Sequence, residues 1–515
     1  MHVANLPDLS HLWSKLPKEV FEEILAHPEE VRRLVSDAMH LVLPDLDTGY
    51  IEHVVVAAML TSLAVDQRPV MPMLDHDLFS KNAALPEFLW GLLYDDWAPD
   101  PTKGKSVFIT GYDQRSLPSD ANPALPANLR KRIYWSAVTP DLMPQYVPKI
   151  QPFFESLLAQ ANAGSPLMGE YLESYYKDLY WDLHVGVTGA DLPDFAVEIG
   201  QSFNIVLANA TPTMKLVYDN YVKVRALRPQ LAAWLQQQVA HLAQHPDSTT
   251  IVSHWLQNSG LGTDANFQTA DIAFESFHDF VALSQWGNMI WHTVQMLNVT
   301  DGNPQVQAAF ATTMQAPPDD GPFDALDRFI MELFRFVNPN SASISTFTAP
   351  ALTNSPFEVY RYVFTLHETA SMYGLHWTDP EAFRPDRFLT VPLAAENDAP
   401  RSAEIGFATC PFSQESFKVA DGRDVEITNS LFGTTYPVVN GTATPICDYA
   451  GYAPFGFGYR RCPGELLNVQ VMRIFLQIAW DRKLEFFKLD TEHPVMQPAG
   501  PLLVVPDVYA FRYPS

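Results

Sequence analysis

Read for the spacing of its apolar residues, this chain is mainly helical, with small sheets gathered toward its C-terminal half. From about Asn128 to about Ala243 most segments repeat at three and four residues, as in Leu231-Ala-Ala-Trp-Leu-Gln-Gln-Gln-Val-Ala-His-Leu242. Thr269 to Thr300 reads as one long helix, N-capped by Thr269 and stopped at Asp301-Gly302. At ~1.5 Å per residue it would run about 45 Å and cross a whole domain. Asn303-Pro304 caps and opens another helix. A third spans Pro322 to Val337, with Phe323, Leu326, Phe329, Ile330, Leu333, Phe334 and Val337 on its buried face. Ser341 to Thr365 is rich in Ser, Thr, Val and Phe and predicts short strands. Phe417 and Val419, then Asp421-Gly422, then Val425 and Ile427 predict a hairpin. Glu465 to Trp480 predicts a buried helix, and Leu484-Glu-Phe-Phe487 a strand after it.

Composition narrows the class. Apolar residues make up 47% of the 515 residues and charged ones 18%, below the roughly 25% of ordinary globular chains. Enough apolar area is present to offset chain entropy, which excludes a disordered or fibrous protein. The net charge of −26 argues against partners made of phosphate, both nucleic acid and anionic membrane surfaces. The longest apolar stretch, Val54 to Val65, is interrupted by Thr61 and Ser62 and falls short of the ~20 residues of a membrane helix. With no basic-then-apolar leader, the expectation is a soluble cytoplasmic protein. Three cysteines, Cys410, Cys447 and Cys462, are too few for a disulfide framework.

One of them carries the chemistry. In Pro454-Phe-Gly-Phe-Gly-Tyr-Arg-Arg-Cys462-Pro-Gly-Glu465, a lone cysteine stands among glycines, beside two arginines, at the start of an apolar helix. Unpaired N–H groups and the positive end of the helix dipole favour a thiolate there. Such a thiolate is a nucleophile or a metal ligand. No Cys/His pair announces a nucleophile, and a single ligand in its loop suits haem iron. The segment resembles the haem loop of the cytochrome P450 family, Phe-x-x-Gly-x-Arg-x-Cys-x-Gly, with Phe455, Gly458, Arg460, Cys462 and Gly464 at its fixed positions.

Two further motifs follow the family's order. Glu332-Leu-Phe-Arg335 places an acid and a base on one helix face, resembling the family's Glu-x-x-Arg helix. Pro385-Asp-Arg387-Phe388 resembles its Pro-x-Arg-Phe element, 52 residues beyond Arg335. A second Glu-x-x-Arg, Glu358 to Arg361, lies too close to Arg387 and reads as strand. The resemblance covers about 115–515. It implies an α+β chain with the cytochrome P450 fold: one large haem domain over 116–515, preceded by an atypical segment, 1–115, packed on the core. It implies haem b with Cys462 as axial ligand, Arg460 and Arg132 on the propionates, and a buried Glu332/Arg335/Arg387 network. No arginine follows Pro339 at the family's usual distance.

Two departures bear on the reaction. Where the family carries an acid and an alcohol midway along its long helix, this chain has Gly287-Asn288 within Ser284-Gln285-Trp286-Gly287-Asn288. Gly287 can open the helix. Asn288, with Gln285 nearby, can orient a water or hydroperoxide but offers no titratable proton. The pattern is similar to the branch that holds prostacyclin synthase and the sterol 7-alpha-hydroxylases. Three functions stay open. The first is a monooxygenase using dioxygen and electrons from a ferredoxin or flavoprotein reductase. The second is an isomerase, lyase or peroxygenase acting on a peroxide without a partner, and the third a non-catalytic haem sensor. The implied substrate is lipid-like, and some of Phe274, Phe277, Phe280 and Leu283 are candidates to face it. The second departure is a 64-residue insert at 389–452, holding Cys410 and Cys447, on the side where electron donors dock in the family.

Overall fold

In a computed structural model of the chain, the described residues are 136–139, 141–160, 170–199, 214–258, 282–317, 324–338, 377–388, 464–492 and 508–513. To these are added 272, 276, 371, 372, 452, 454, 455 and eight short strand segments. The helices are α1 (Met143–Gln160), α2 (Glu170–Val185), α3 (Met214–Gln244), α4 (Ile251–Asn258), α5 (Ala282–Leu297), α6 (Pro304–Gln315), α7 (Ala325–Val337) and α8 (Glu465–Asp481).

Strands β1 (Val70–Met73), β2 (Ala83–Ala84), β3 (Ala342–Phe347) and β4 (Tyr362–Leu366) form one mixed sheet in the order β1-β4-β3-β2. β1 runs parallel to β4, with Val70 opposite Tyr362, and β3 pairs antiparallel with both β4 and β2. The N-terminal hundred residues thus lend two strands to the sheet that follows α7. The expected hairpin is β5 (Ser416–Lys418) and β6 (Asp424–Glu426), with Phe417 opposite Val425. β7 (Val438–Val439) pairs with β8 (Thr442–Ala443), and β9 (Glu485–Lys488) with β10 (Tyr509–Arg512).

The core lies among α1, α2, α5, α7 and α8. Trp181, Trp255, Trp286, Trp291, Tyr146, Tyr176 and Tyr180 are fully buried in it. Tyr180 Oη donates to the carbonyl of Ser276 at 2.6 Å, pinning α2 to a helical residue upstream of α5. Among the described residues no helix is long and apolar enough to cross a membrane.

Three helix boundaries differ from or refine the sequence expectation. α7 starts at Ala325, not Pro322, because Asp324 and Asp327 form a reciprocal capping box there. α5 ends at Leu297, short of Asp301-Gly302, because Asn298 Oδ1 accepts the amides of Thr300 and Asp301 and turns the chain early. α6 starts where expected, with Asn303 Oδ1 accepting from Gln305 N and Val306 N and Pro304 at its first position.

Candidate functional site

The best-defined part of the site is the charge cluster on α7. Glu332 and Arg335 share a helix face, and both side chains are 0% exposed. Arg335 grips Glu332 with both arms, Nε to Oε2 at 2.7 Å and Nη2 to Oε1 at 2.8 Å. Its remaining donors go to the carbonyls of Ser371 (3.1 Å) and Ala382 (3.2 Å). Arg387 reaches the same carboxylate, Nε to Oε1 at 3.2 Å, and donates to the carbonyls of Thr378, Asp379 and Ala382. The backbone N–H of Arg384 completes the set on Glu332 Oε1 at 2.7 Å.

The expected Glu332/Arg335/Arg387 grouping is therefore brought together, with net charge +1. Burial lowers the pKa of Arg387, Glu332 raises it, and the Arg335 charge adds to the lowering. The cluster sews segment 377–388 to α7. Trp377 stands 5.5 Å from the Arg335 guanidinium and stacks edge-on against Phe388.

From this cluster, contacts lead to the cysteine loop. Phe388 meets Tyr452 at 5.6 Å, and Phe334 of α7 meets Phe455 edge-on at 5.3 Å. Tyr452 is buried, and its hydroxyl has no partner among the described residues. Burial raises the pKa of that hydroxyl well above the usual tyrosine value, and the charges of Glu465 and Glu332 raise it further. Cys462, Gly458 and Arg460 lie outside the described residues, as do Arg132, Cys410, Cys447, Phe274, Phe277 and Phe280. The competing Glu358 and Arg361 also lie outside them. Gly464 is the N-cap of α8 and brings no side-chain capping bond. The positive end of the helix dipole at this start suits a thiolate two residues before Gly464 in the sequence.

Two anchors of α8 were not visible in the sequence. Trp286 Nε1 on α5 donates to Asn468 Oδ1 on α8 at 2.5 Å, both residues buried. Arg473 on α8 reaches back to the start of α7, Nη2 to Asp324 Oδ2 at 2.8 Å and Nη1 to Asp327 Oδ1 at 2.5 Å. The Asp324-x-x-Asp327 spacing is a capping signal, but nothing local marks Arg473 as its partner. Burial raises the pKa of Asp327 to about 6, the charge of Arg473 lowers it, and that of Asp324 raises it.

On α5, Gly287 is buried beside Trp286. Gln285, Asn288 and Leu283 lie on the same helix by backbone position. His292, one turn past Asn288, is buried, and burial pushes its pKa down to about 4, against the opposing effect of a hydrogen bond from its Nδ1 to Gln295 Oε1. Among the described residues no cluster of three or more His, Cys, Asp and Glu is placed to hold a metal ion.

A triple mutant of the cytochrome P450DA haem domain matches over 86% of this chain and 86% of its own, with TM-score 0.52 and 13% identity. The chain has the cytochrome P450 fold. A mutant of P450 EryK, solved in complex with erythromycin B, matches over 84% and 88%, with TM-score 0.50 and 13% identity. No family model and no curated protein matches the sequence. The P450 fold is thus carried here by a sequence far from its solved relatives.

Proposed function

We propose that this chain is a haem-thiolate enzyme of the cytochrome P450 superfamily. It would bind haem b through the Cys462 thiolate and oxidise a lipid-like small molecule. The observation that carries the reading is the buried Glu332/Arg335/Arg387 cluster, joined through Phe334–Phe455 and Phe388–Tyr452 to the loop holding Phe455, Gly458, Arg460, Cys462 and Gly464.

The residues present fit the group. The positive dipole end at the start of α8, where Gly464 brings no side-chain cap, would favour a thiolate at 462, and Phe455 is buried against α7. Arg460 and Arg132 would hold propionates. The bound haem supplies dioxygen activation with electrons from a ferredoxin or flavoprotein reductase. The chain's own part is to fix Cys462 at the head of α8, to open α5 at Gly287, and to orient a water near the substrate through Asn288. Gln285 would support that water from one turn earlier.

The Gly287-Asn288 pair favours a second reading, in which the substrate or co-substrate is a peroxide and no electron donor is needed. Asn288 lacks the titratable proton that dioxygen activation uses. The 389–452 insert, on the family's docking side, would then screen a face that has no partner to receive.

A reduced spectrum with carbon monoxide tests the first claim. A thiolate-type Soret band is expected in the wild type and none in Cys462→Ala. Two parallel assays separate the readings, one giving a fatty acid with reductant and dioxygen, the other a fatty-acid hydroperoxide alone. Turnover confined to the first would eliminate the peroxide reading, and turnover confined to the second the monooxygenase.

A further inference from the structure

Asn338 closes α7 with a buried amide that none of the described residues uses. The residue is 1% exposed, and among the described residues neither Nδ2 nor Oδ1 has a hydrogen-bond partner. Its backbone is left-handed, φ 31° and ψ 83°, and its N–H returns to the carbonyl of Phe334 at 2.9 Å. Glycine would make that turn with no polar group to bury. Buried amides in folded proteins are satisfied as a rule, and leaving one unmade is costly. Among the described residues the side chain has no partner, which leaves its amide for a bound group.

Its position says which. Asn338 lies one turn beyond Phe334, whose ring packs on Phe455 of the cysteine loop. From 336 to 360 the sequence has no Lys, Arg or His, so this stretch supplies no cation to an anionic group. A cation would also be poorly tolerated, since α7 already buries the Glu332/Arg335/Arg387 cluster with net charge +1. A neutral donor avoids that repulsion and still binds a carboxylate oxygen.

We infer that Asn338 donates its amide N–H to a propionate of the bound haem, in place of the arginine this chain lacks after Pro339. The inference rests on the haem reading above, and it concerns a binding contact rather than a step in the reaction.

The test uses holoprotein of the wild type, Asn338→Gly and Asn338→Asp. Glycine keeps the left-handed turn and removes the amide. Aspartate keeps the shape and sets a negative charge where the donor stood. Ferric haem transfer to excess apomyoglobin is timed for each, and the propionate-bending band is read by resonance Raman. Loss of one hydrogen bond to a charged group should speed transfer about tenfold in Asn338→Gly. Transfer should be faster still in Asn338→Asp, and the band should shift in both.

Haem leaving Asn338→Gly at the wild-type rate overturns the inference, and so does faster loss with an unshifted band. Unchanged haem retention with a lowered melting point in both variants assigns the amide to a buried water instead, and overturns it as well. A wild type without haem fails the parent reading. A wild type with a thiolate spectrum and an indifferent Asn338 fails this one alone.

Discussion

Replacing Glu332 by glutamine keeps the side chain's shape and removes its charge. Oε1 already accepts three donors, from Arg335 Nη2, Arg387 Nε and Arg384 N, so the amide oxygen must take that position. The NH2 group then faces Arg335 Nε across the present 2.7 Å contact, donor against donor. Two guanidinium groups, exposed 0% and 7%, are left with no carboxylate between them. Breaking one partner out of a buried ion pair costs about 3–5 kcal/mol, a large share of the roughly 5–15 kcal/mol that holds a domain together.

The urea midpoint, followed by circular dichroism, should drop accordingly. Removing one of the stranded cations should relieve part of the penalty, so Glu332→Gln should cost less in an Arg387→Met background. The expected coupling between the two changes is of order 1–2 kcal/mol, as for residues sharing one ion-pair network. A loss below about 1 kcal/mol for Glu332→Gln, or strict additivity with Arg387→Met, would refute the claim that this cluster acts as a single buried unit.

Three other outcomes are expected. Asp327, raised to about 6, penalises the folded state above pH 6 and releases that penalty, about 3 kcal/mol at 1.36 per pH unit, as pH falls toward 4. His292, lowered to about 4, does the reverse, because the unfolded chain gains a proton below pH 6.5 that the buried ring refuses, again worth about 3 kcal/mol. Melting curves between pH 4 and 7 should therefore fall more steeply with acid in Asp327→Asn than in wild type, and less steeply in His292→Gln. Trp286→Phe leaves Asn468 Oδ1 buried without its donor, at a cost of roughly 1–3 kcal/mol, and thermal unfolding of Trp286→Phe/Asn468→Leu should show partial recovery. Gly302→Ala would drive a Cβ to 2.2 Å from the carbonyl of Asn298, so its melting point should fall well below that of the wild type, and further than that of Gly189→Ala, which has open space around its Cβ and bears only the cost of its left-handed backbone.

What could be read from the sequence was what is encoded locally. Asn303-Pro304 opened α6 as expected because a cap needs only its own next three amides. The Asp421-Gly422 hairpin paired Phe417 with Val425 because alternation and turn lie within a dozen residues. Glu332, Arg335 and Arg387 came together because their spacing matches a motif whose members are named by residue type. The failures share a cause. Arg473 chooses Asp324 across 149 positions, and Trp286 chooses Asn468 across 182. Neither partner carries a local mark, since any buried arginine or asparagine must find some partner and spacing does not say which.

Those long-range choices converge on α8. Trp286 ties it to α5, Arg473 ties it to the cap of α7, and Phe334 with Phe455 packs the loop before it against α7. In the haem-thiolate reading proposed above, a single cysteine ligand would depend on the scaffold around it for its placement, and these three contacts, two on α8 and one on the loop before it, would supply that support. None of the three involves Gln285, Gly287 or Asn288, the residues to which the proposed function gives the choice between dioxygen and peroxide. The two sets should therefore separate by experiment. Arg473→Met should disturb the thiolate spectrum with any substrate. Asn288→Thr should leave that spectrum unchanged and alter turnover, raising it with reductant and dioxygen if the enzyme is a monooxygenase and changing little with a hydroperoxide. A substitution at Asn288 that abolished the thiolate band would show that α5 and α8 do not divide the work in this way.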